Sequence, residues 1–247
     1  MSEIKTAAMV LGTVDYGEQD RLLTLFSPAL GRIDAKAKAC RKAASPLLAC
    51  AQPLIYGDFV LFRMKDKTGV KQAEVLESFY PLREEPYRFA AAGLCAALCR
   101  NTVQEEEENE ALFALLYRTC SYLAYGENGV RDILSAFFAH FLTLTGYQPA
   151  ITRCALCGRL LTQEKLLHFS PALGGALCGT CGLTEPRVSA TVLEAVRRIL
   201  LLSPDALERV RLKEPLSGEV FSLLLAFTLH CIPAARKSAA LLLELPE

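Results

Sequence analysis

The sequence predicts a multidomain α+β protein: a five-stranded N-terminal β-barrel, then an α-helical domain carrying an inserted four-cysteine metal module. Three observations predict it. Apolar residues come in short strand-length runs up to about residue 80, they recur at helical spacing after it, and two Cys-x-x-Cys pairs interrupt the helical pattern. The expected division is 1–80 for the barrel, 81–150 with 183–247 for the helices, and 151–182 for the metal module.

Five runs read as strands: Ile4 to Leu11, Leu22 to Phe26, Arg32 to Ala37, Asp58 to Phe62 and Gln72 to Phe79. Ser27-Pro28-Ala29-Leu30-Gly31 turns the chain between the second and third, and Asp66-Lys67-Thr68-Gly69 between the last two. An oligonucleotide-binding (OB) barrel closes with this number of strands and holds single strands in a groove across its face, whereas a small barrel without a ligand is the plainer reading. Arg32, Lys36, Lys38, Arg41 and Lys42 gather on the third strand and the loop after it, opposed only by Asp34. Alternation sets Arg32, Lys36 and Lys38 on one face, a same-sign row that suits a phosphate backbone as well as a solvated surface. Phe26, Tyr56, Phe59 and Phe62 are candidates for base stacking, though aromatic residues of a small barrel more often fill its core.

After Tyr80 the spacing becomes helical. Pro86 opens a helix with Ala90, Leu94, Ala97 and Leu98 on one face. Glu105 to Glu108 repel one another and mark a solvated connection or a first helical turn, without catalysis. Leu112, Leu115, Leu116 and Leu123, then Ile133, Phe137, Phe138, Phe141 and Leu144, define two further helices ended by Gly126 and Gly146, and His140 is expected to be a core histidine.

Cys154-x-x-Cys157-Gly158 and Cys178-x-x-Cys181-Gly182 are two knuckles. Each turn presents two thiolates to one cation, and the following glycine allows a positive φ that brings amides toward the sulfurs. Four thiolates select Zn2+, with an iron cluster as the alternative, and leave no open position for water, so the ion is expected to be single and structural. His168 lies in the spacer and could replace a ligand, but four cysteines make it unnecessary. Cys40, Cys50, Cys95, Cys99, Cys120 and Cys231 read as small buried hydrophobes, with Cys95 and Cys99 one helical turn apart as a weaker candidate for a second metal or a redox pair. Helices resume near Ser189, then at Ser203-Pro204 and Ser217, and Arg236-Lys237-Ser238 precedes a last Leu-rich turn.

Composition narrows the function. The 247 residues are 52% hydrophobic and 22% charged, which excludes a disordered chain. No signal peptide or run of about 20 apolar residues is present, so a cytoplasmic protein with reduced thiols and no membrane partner is expected. Lys plus Arg (27) equals Asp plus Glu (27), so any nucleic-acid surface must be local. The sequence lacks a phosphate loop, a nucleophile elbow, a zinc-protease histidine pair and a dinucleotide fingerprint. A zinc deaminase needs an open metal position and a His-x-Glu pair, whereas His168 is followed by Phe169 and Ser170; no enzyme is expected. A zinc-ribbon adaptor that binds only proteins stays open.

The order of the pieces resembles the RecO recombination mediators of bacterial DNA repair along most of the chain. Gly17 to Arg21, Thr24-Leu25-Phe26, Gly31-Arg32, Lys38 to Lys42, Ser45 and Gln52-Pro53 are similar to the family's N-terminal signature. Gly146-Tyr147 and Pro149, the two knuckles with Gly174-Gly175, and more loosely His230 to Ser238 complete the resemblance, while Ala39 stands where members often carry glycine. The resemblance implies an OB-fold that binds single- and double-stranded DNA and a helical domain with an inserted zinc module. It further implies strand annealing and, with RecR, loading of RecA onto DNA coated by single-stranded-DNA-binding protein, without nucleotide hydrolysis. Arg32, Lys38, Arg41 and Lys42 fall in matching positions and would neutralise phosphates.

Overall fold

The computed structural model describes residues 2–64, 67–162 and 164–246, which form two compact units: Met1–Tyr125 with Lys237–Glu247, and Gly126–Arg236.

In the first unit β1 (Ser2–Tyr16), β2 (Asp20–Ser27), β3 (Gly31–Ala37), β4 (Tyr56–Met64) and β5 (Lys67–Glu77) close a barrel in the order β1-β2-β3-β5-β4. A parallel contact sets Lys36 of β3 opposite Gly69 of β5. The fold is the OB barrel. β1 is long because it serves two neighbours: Ser2 to Met9 pairs with β4, Met9 to Tyr16 pairs with β2, and the β2 ladder slips between Val10 and Gly12. Inward residues follow the period of two, so Ala8, Val10, Leu23, Leu25, Ala35, Ala37, Phe59 and Leu61 are buried together. Residues 38–55 form turns, yet Cys40, Leu47, Cys50, Ala51 and Ile55 enter the same core, pinned where Val10 N–H donates to the Ile55 carbonyl (2.9 Å) and Leu54 N–H to that of Val10 (2.8 Å). Of the turn expected at Asp66 to Gly69, Asp66 lies outside the described residues and Lys67 to Gly69 already belong to β5.

Two helices, α1 (Pro86–Arg100) and α2 (Glu110–Tyr125), pack on each other, and α1 packs on β1. Phe26 and Tyr56 meet Phe113 of α2 at ring separations of 5.3 and 5.7 Å, so these barrel aromatics are packed against a helix. With Phe59 1% exposed as well, neither Phe26 nor Phe59 can stack on a base. The connection between α1 and α2 runs along the start of β3: Arg32 N–H donates to the Gln104 carbonyl (2.9 Å), Glu106 N–H to that of Leu30 (3.1 Å) and Asn109 N–H to that of Pro28 (2.9 Å). Gly31 makes that approach possible, because its φ is +66° and a Cβ there would lie 2.3 Å from the Gln104 carbonyl oxygen.

The second unit is built on α3 (Val130–Leu144), α4 (Ala190–Leu201) and α5 (Leu216–Cys231), with α3 against both others. Ile133, Phe137, Phe138 and Phe141 are fully buried, and Phe138 faces Phe221 of α5 at 6.2 Å. His140 is buried among them, and burial holds its pKa below the usual imidazole value. Ser189 caps α4 as expected, its side chain accepting from Val192 N–H at 3.2 Å. Ser203-Pro204 opens no helix: Ala206 N–H donates to the Ser203 carbonyl (2.9 Å) in a tight turn, followed only by a short 3-10 turn at Leu207–Arg209. The helix expected at Ser217 is present as α5, which begins one residue earlier at Leu216, and the Ser217 hydroxyl donates to Asp132 Oδ1 at 2.7 Å instead of capping it. The last helix, α6 (Arg236–Glu244), belongs from Lys237 onward to the first unit and buries Ala239 and Leu242. Among the described residues no single helix is long and apolar enough to cross a membrane.

Candidate metal centre and nucleic-acid interface

The four cysteines of the knuckles converge. Cys154 and Cys157 lie in a turn closed by Gly158 N–H on the Cys154 carbonyl (2.9 Å), and Cys178 ends β7 (Gly175–Cys178), which pairs with β6 (Leu167–Ser170). Cys181 N–H and Gly182 N–H both donate to the Cys178 carbonyl (3.1 and 3.0 Å), repeating the turn. The two glycines act differently. Gly158 has φ +74°, as the knuckle requires, whereas Gly182 is needed because a Cβ there would sit 2.4 Å from that of His168.

All four Sγ atoms lie within 4.8 Å of one another, with Cys157 and Cys178 3.9 Å apart. A tetrahedral ion with metal–sulfur bonds of about 2.3 Å needs sulfurs about 3.8 Å apart, so the cluster fits such an ion with little adjustment. Cys154 and Cys178 are buried, Cys181 is half-buried and Cys157 exposed. The Thr180 hydroxyl, 3.2 Å from Cys178 Sγ, and the Cys181 and Thr180 amides pull the Cys178 thiol down to about 6. Hydrogen bonding to Cys178 and Cys157 pushes Cys181 up to about 12, so a cation bound there would displace its proton. His168 stands outside the set and its Nδ1 donates to the Glu185 carbonyl at 2.7 Å.

No other metal-ligand cluster occurs among the described residues. Cys95, Cys99 and Cys120 are buried together between α1 and α2, and desolvation raises all three thiols, Cys120 to about 12. They are core residues without thiolate character.

The basic set on the barrel is divided by its partners. Arg32 Nη2 donates to Glu105 Oε1 at 2.7 Å, Lys36 Nζ to Asp20 at 2.8 Å, and Arg41 Nη2 lies 3.2 Å from Asp15. Lys36 also sits 4.5 Å above the Tyr16 ring. β3 ends at Ala37, so Lys38 does not continue the strand face and instead begins the turn. Lys38 and Lys42 are exposed and form no salt bridge among the described residues. The Ala39 amide, ahead of Lys36, holds the Asp20 carboxyl below its usual value.

Residues 1–79 match the family model described as Recombination protein O N terminal, and residues 83–240 match Recombination protein O C terminal. The chain belongs to the RecO family of DNA repair proteins. Similar relatives named DNA repair protein RecO come from Alkaliphilus metalliredigens (36% identical, 85% of each chain), Desulforamulus reducens (31%, 92% of this chain and 89% of the relative) and Roseiflexus sp. (32%, 96% and 84%). The first RecO match ends two residues beyond β5, so it coincides with the barrel.

Ala39 has φ +53°, the left-handed conformation that glycine takes without strain. The turn is kept by the Ala39 N–H, which donates to Asp20 Oδ1 at 2.7 Å. The basic loop of this RecO chain thus holds its turn at some local cost. Arg63, which donates to Glu106 Oε1 at 2.8 Å, was not among the residues expected from sequence. Its isolated place near the end of β4 gives no local signal, since its partner lies 43 residues away.

Proposed function

We propose that this chain is a non-catalytic recombination mediator that binds single- and double-stranded DNA through the basic loop of its barrel and anneals complementary strands. With RecR it would help load RecA onto DNA coated by single-stranded-DNA-binding protein. Membership of the RecO family across both the barrel and the helical region carries this reading. The exposed side chains of Lys38, Arg41 and Lys42 support it, since cations on long side chains neutralise phosphates without reading bases. The four cysteines are assigned one structural Zn2+ on the fit of an all-thiolate tetrahedral donor set.

A labelled single strand titrated at low and moderate salt, followed by its complement without ATP, tests the proposal. Salt-sensitive binding and faster duplex formation are expected, and Arg41→Ala with Lys42→Ala should flatten the salt slope. A second reading, a protein-only adaptor, draws on the carboxylates that already engage Arg32, Lys36 and Arg41. Absence of DNA binding at low salt would decide for it.

A further inference from the structure

The run Glu105 to Glu108 looks like a solvated linker by composition, yet its first two carboxylates are placed on two guanidinium groups of the barrel. Glu105 accepts from Arg32 at 2.7 Å and Glu106 from Arg63 at 2.8 Å. All four side chains border one cleft of about 590 Å³ beside the apolar Ile4 and Leu61. We propose that Arg32 and Arg63 form a phosphate site of the barrel that Glu105 and Glu106 occupy as internal stand-ins, and that a nucleic-acid backbone takes the site by displacing them. The inference rests on the DNA-binding reading above.

Four features support it. The acidic side chains are largely exposed, so these ion pairs are weak and exchangeable. Glu106 has φ +58°, a left-handed conformation that non-glycine residues hold only when the surroundings impose it. Arg32 Nε is buried and has no hydrogen-bond partner, because Glu105 takes Nη2 alone and Asp34 is 3.7 Å away. Two oxygens of one phosphate would take Nε and Nη2 together, which the glutamate does not do. The main-chain hydrogen bonds of Gln104, Glu106 and Asn109 to the Pro28–Arg32 segment keep the strap in place when the carboxylates change.

The consequence is a charge gate. Phosphates approaching the cleft meet two carboxylates until enough contacts elsewhere on the strand offset their displacement, so long polyanions are favoured over short ones. Labelled single-stranded DNA binding should be measured over a salt series for the full chain and four variants. These are E105Q/E106Q, E107Q/E108Q, R32Q/R63Q and the quadruple variant combining the first and third. Glu107 and Glu108 lie on the same run without a salt bridge among the described residues, so the second variant makes the same change in net charge.

Two freed cations at a salt exponent of about 0.7 each should tighten E105Q/E106Q by about 25-fold at 0.1 M salt and steepen its slope by about 1.4. E107Q/E108Q should gain less than about 3-fold, as expected for screened charges away from the contact. The quadruple variant should lose the gain. Equal gains in both glutamine pairs, or a gain that survives without the arginines, would overturn the gate while leaving DNA binding intact. If no form binds at low salt, the gate and the DNA-binding reading fall together. Circular dichroism of each variant checks that the barrel is folded.

Discussion

Replacing Gly31 by alanine should destabilise the first unit by about 2–4 kcal/mol, from strain and lost hydrogen bonds together. Gly31 has φ +66°, where a Cβ costs about 1–2 kcal/mol. The alanine also restricts the unfolded chain, which returns about 0.4–1 kcal/mol. Steric overlap contributes more. The new Cβ would lie 2.3 Å from the Gln104 carbonyl oxygen and 2.6 Å from that of Glu107, and both are backbone atoms that no rotamer change can move. The strap must therefore lift, and the hydrogen bonds from Arg32, Glu106 and Asn109 amides are weakened or lost. The freed groups reach water, so each is counted near the low end of the usual 0.5–1.5 kcal/mol, for a combined loss of about 1.5–3 kcal/mol. Urea unfolding followed by circular dichroism is suitable, since the chain has no tryptophan. The midpoint should fall by about 1 M or more with an unchanged slope, using about 1–3 kcal/mol per molar urea. A variant within about 0.5 kcal/mol of the parent would show that the strap does not rest on Gly31, and the close approach would be refuted.

Ala39→Gly should act in the opposite direction: relief of the left-handed alanine at φ +53° exceeds the added unfolded-state entropy by roughly 0.5 kcal/mol, read as a small rise in the same midpoint. Asp132 is 7% exposed and accepts from Ser217 Oγ (2.7 Å) and Leu212 N–H (3.0 Å). Asp132→Ala should therefore cost about 2–4 kcal/mol in chemical unfolding, and Asp132→Asn less; equal stability of all three forms would argue against the pair of bonds. Elemental analysis should find about one zinc per chain and none after Cys178→Ser, with lower thermal stability of the second unit; a metal-free parent that melts unchanged would defeat the structural role. Because Cys178 is held down to about 6, its thiolate is present above that pH and is lost as the medium is acidified through it, so metal should leave on the acid side, as a chelator titration at several pH values would report.

The knuckles were legible in the sequence because chelation there is mostly local: each pair of sulfurs is set by a turn of four residues, and only the meeting of two turns is a tertiary event. The strands were legible for a similar reason, since alternation along β2 and β3 already separates Leu23, Leu25 and Ala35 from the outward residues. What alternation could not supply was the extent of β1, whose length follows from pairing with two partners. Ser203-Pro204 misled because a serine before a proline serves a turn as readily as a helix start, and the side-chain spacing beyond it does not decide between them. Ser217 did mark a helix start to within one residue, but its hydroxyl donates to Asp132, 85 residues earlier in the chain, instead of capping the helix.

The electrostatics of the barrel show why a charge run is hard to read from composition. Glu105 lies 73 residues from Arg32, and Glu106 lies 43 from Arg63, so no window of sequence holds either pair. Taken in isolation the five cations near β3 form a positive row, but Asp15, Asp20 and Glu105 reduce its local field to that of Lys38 and Lys42 plus whatever partner exchange releases. A polyanion meeting such a surface gains from each contact only the difference between a phosphate and the carboxylate it replaces. Its salt slope should accordingly be smaller than a count of arginines and lysines suggests, and binding should stay reversible at moderate salt. For a chain of zero formal net charge, the proposed partner exchange would hold a strand without a strong standing field.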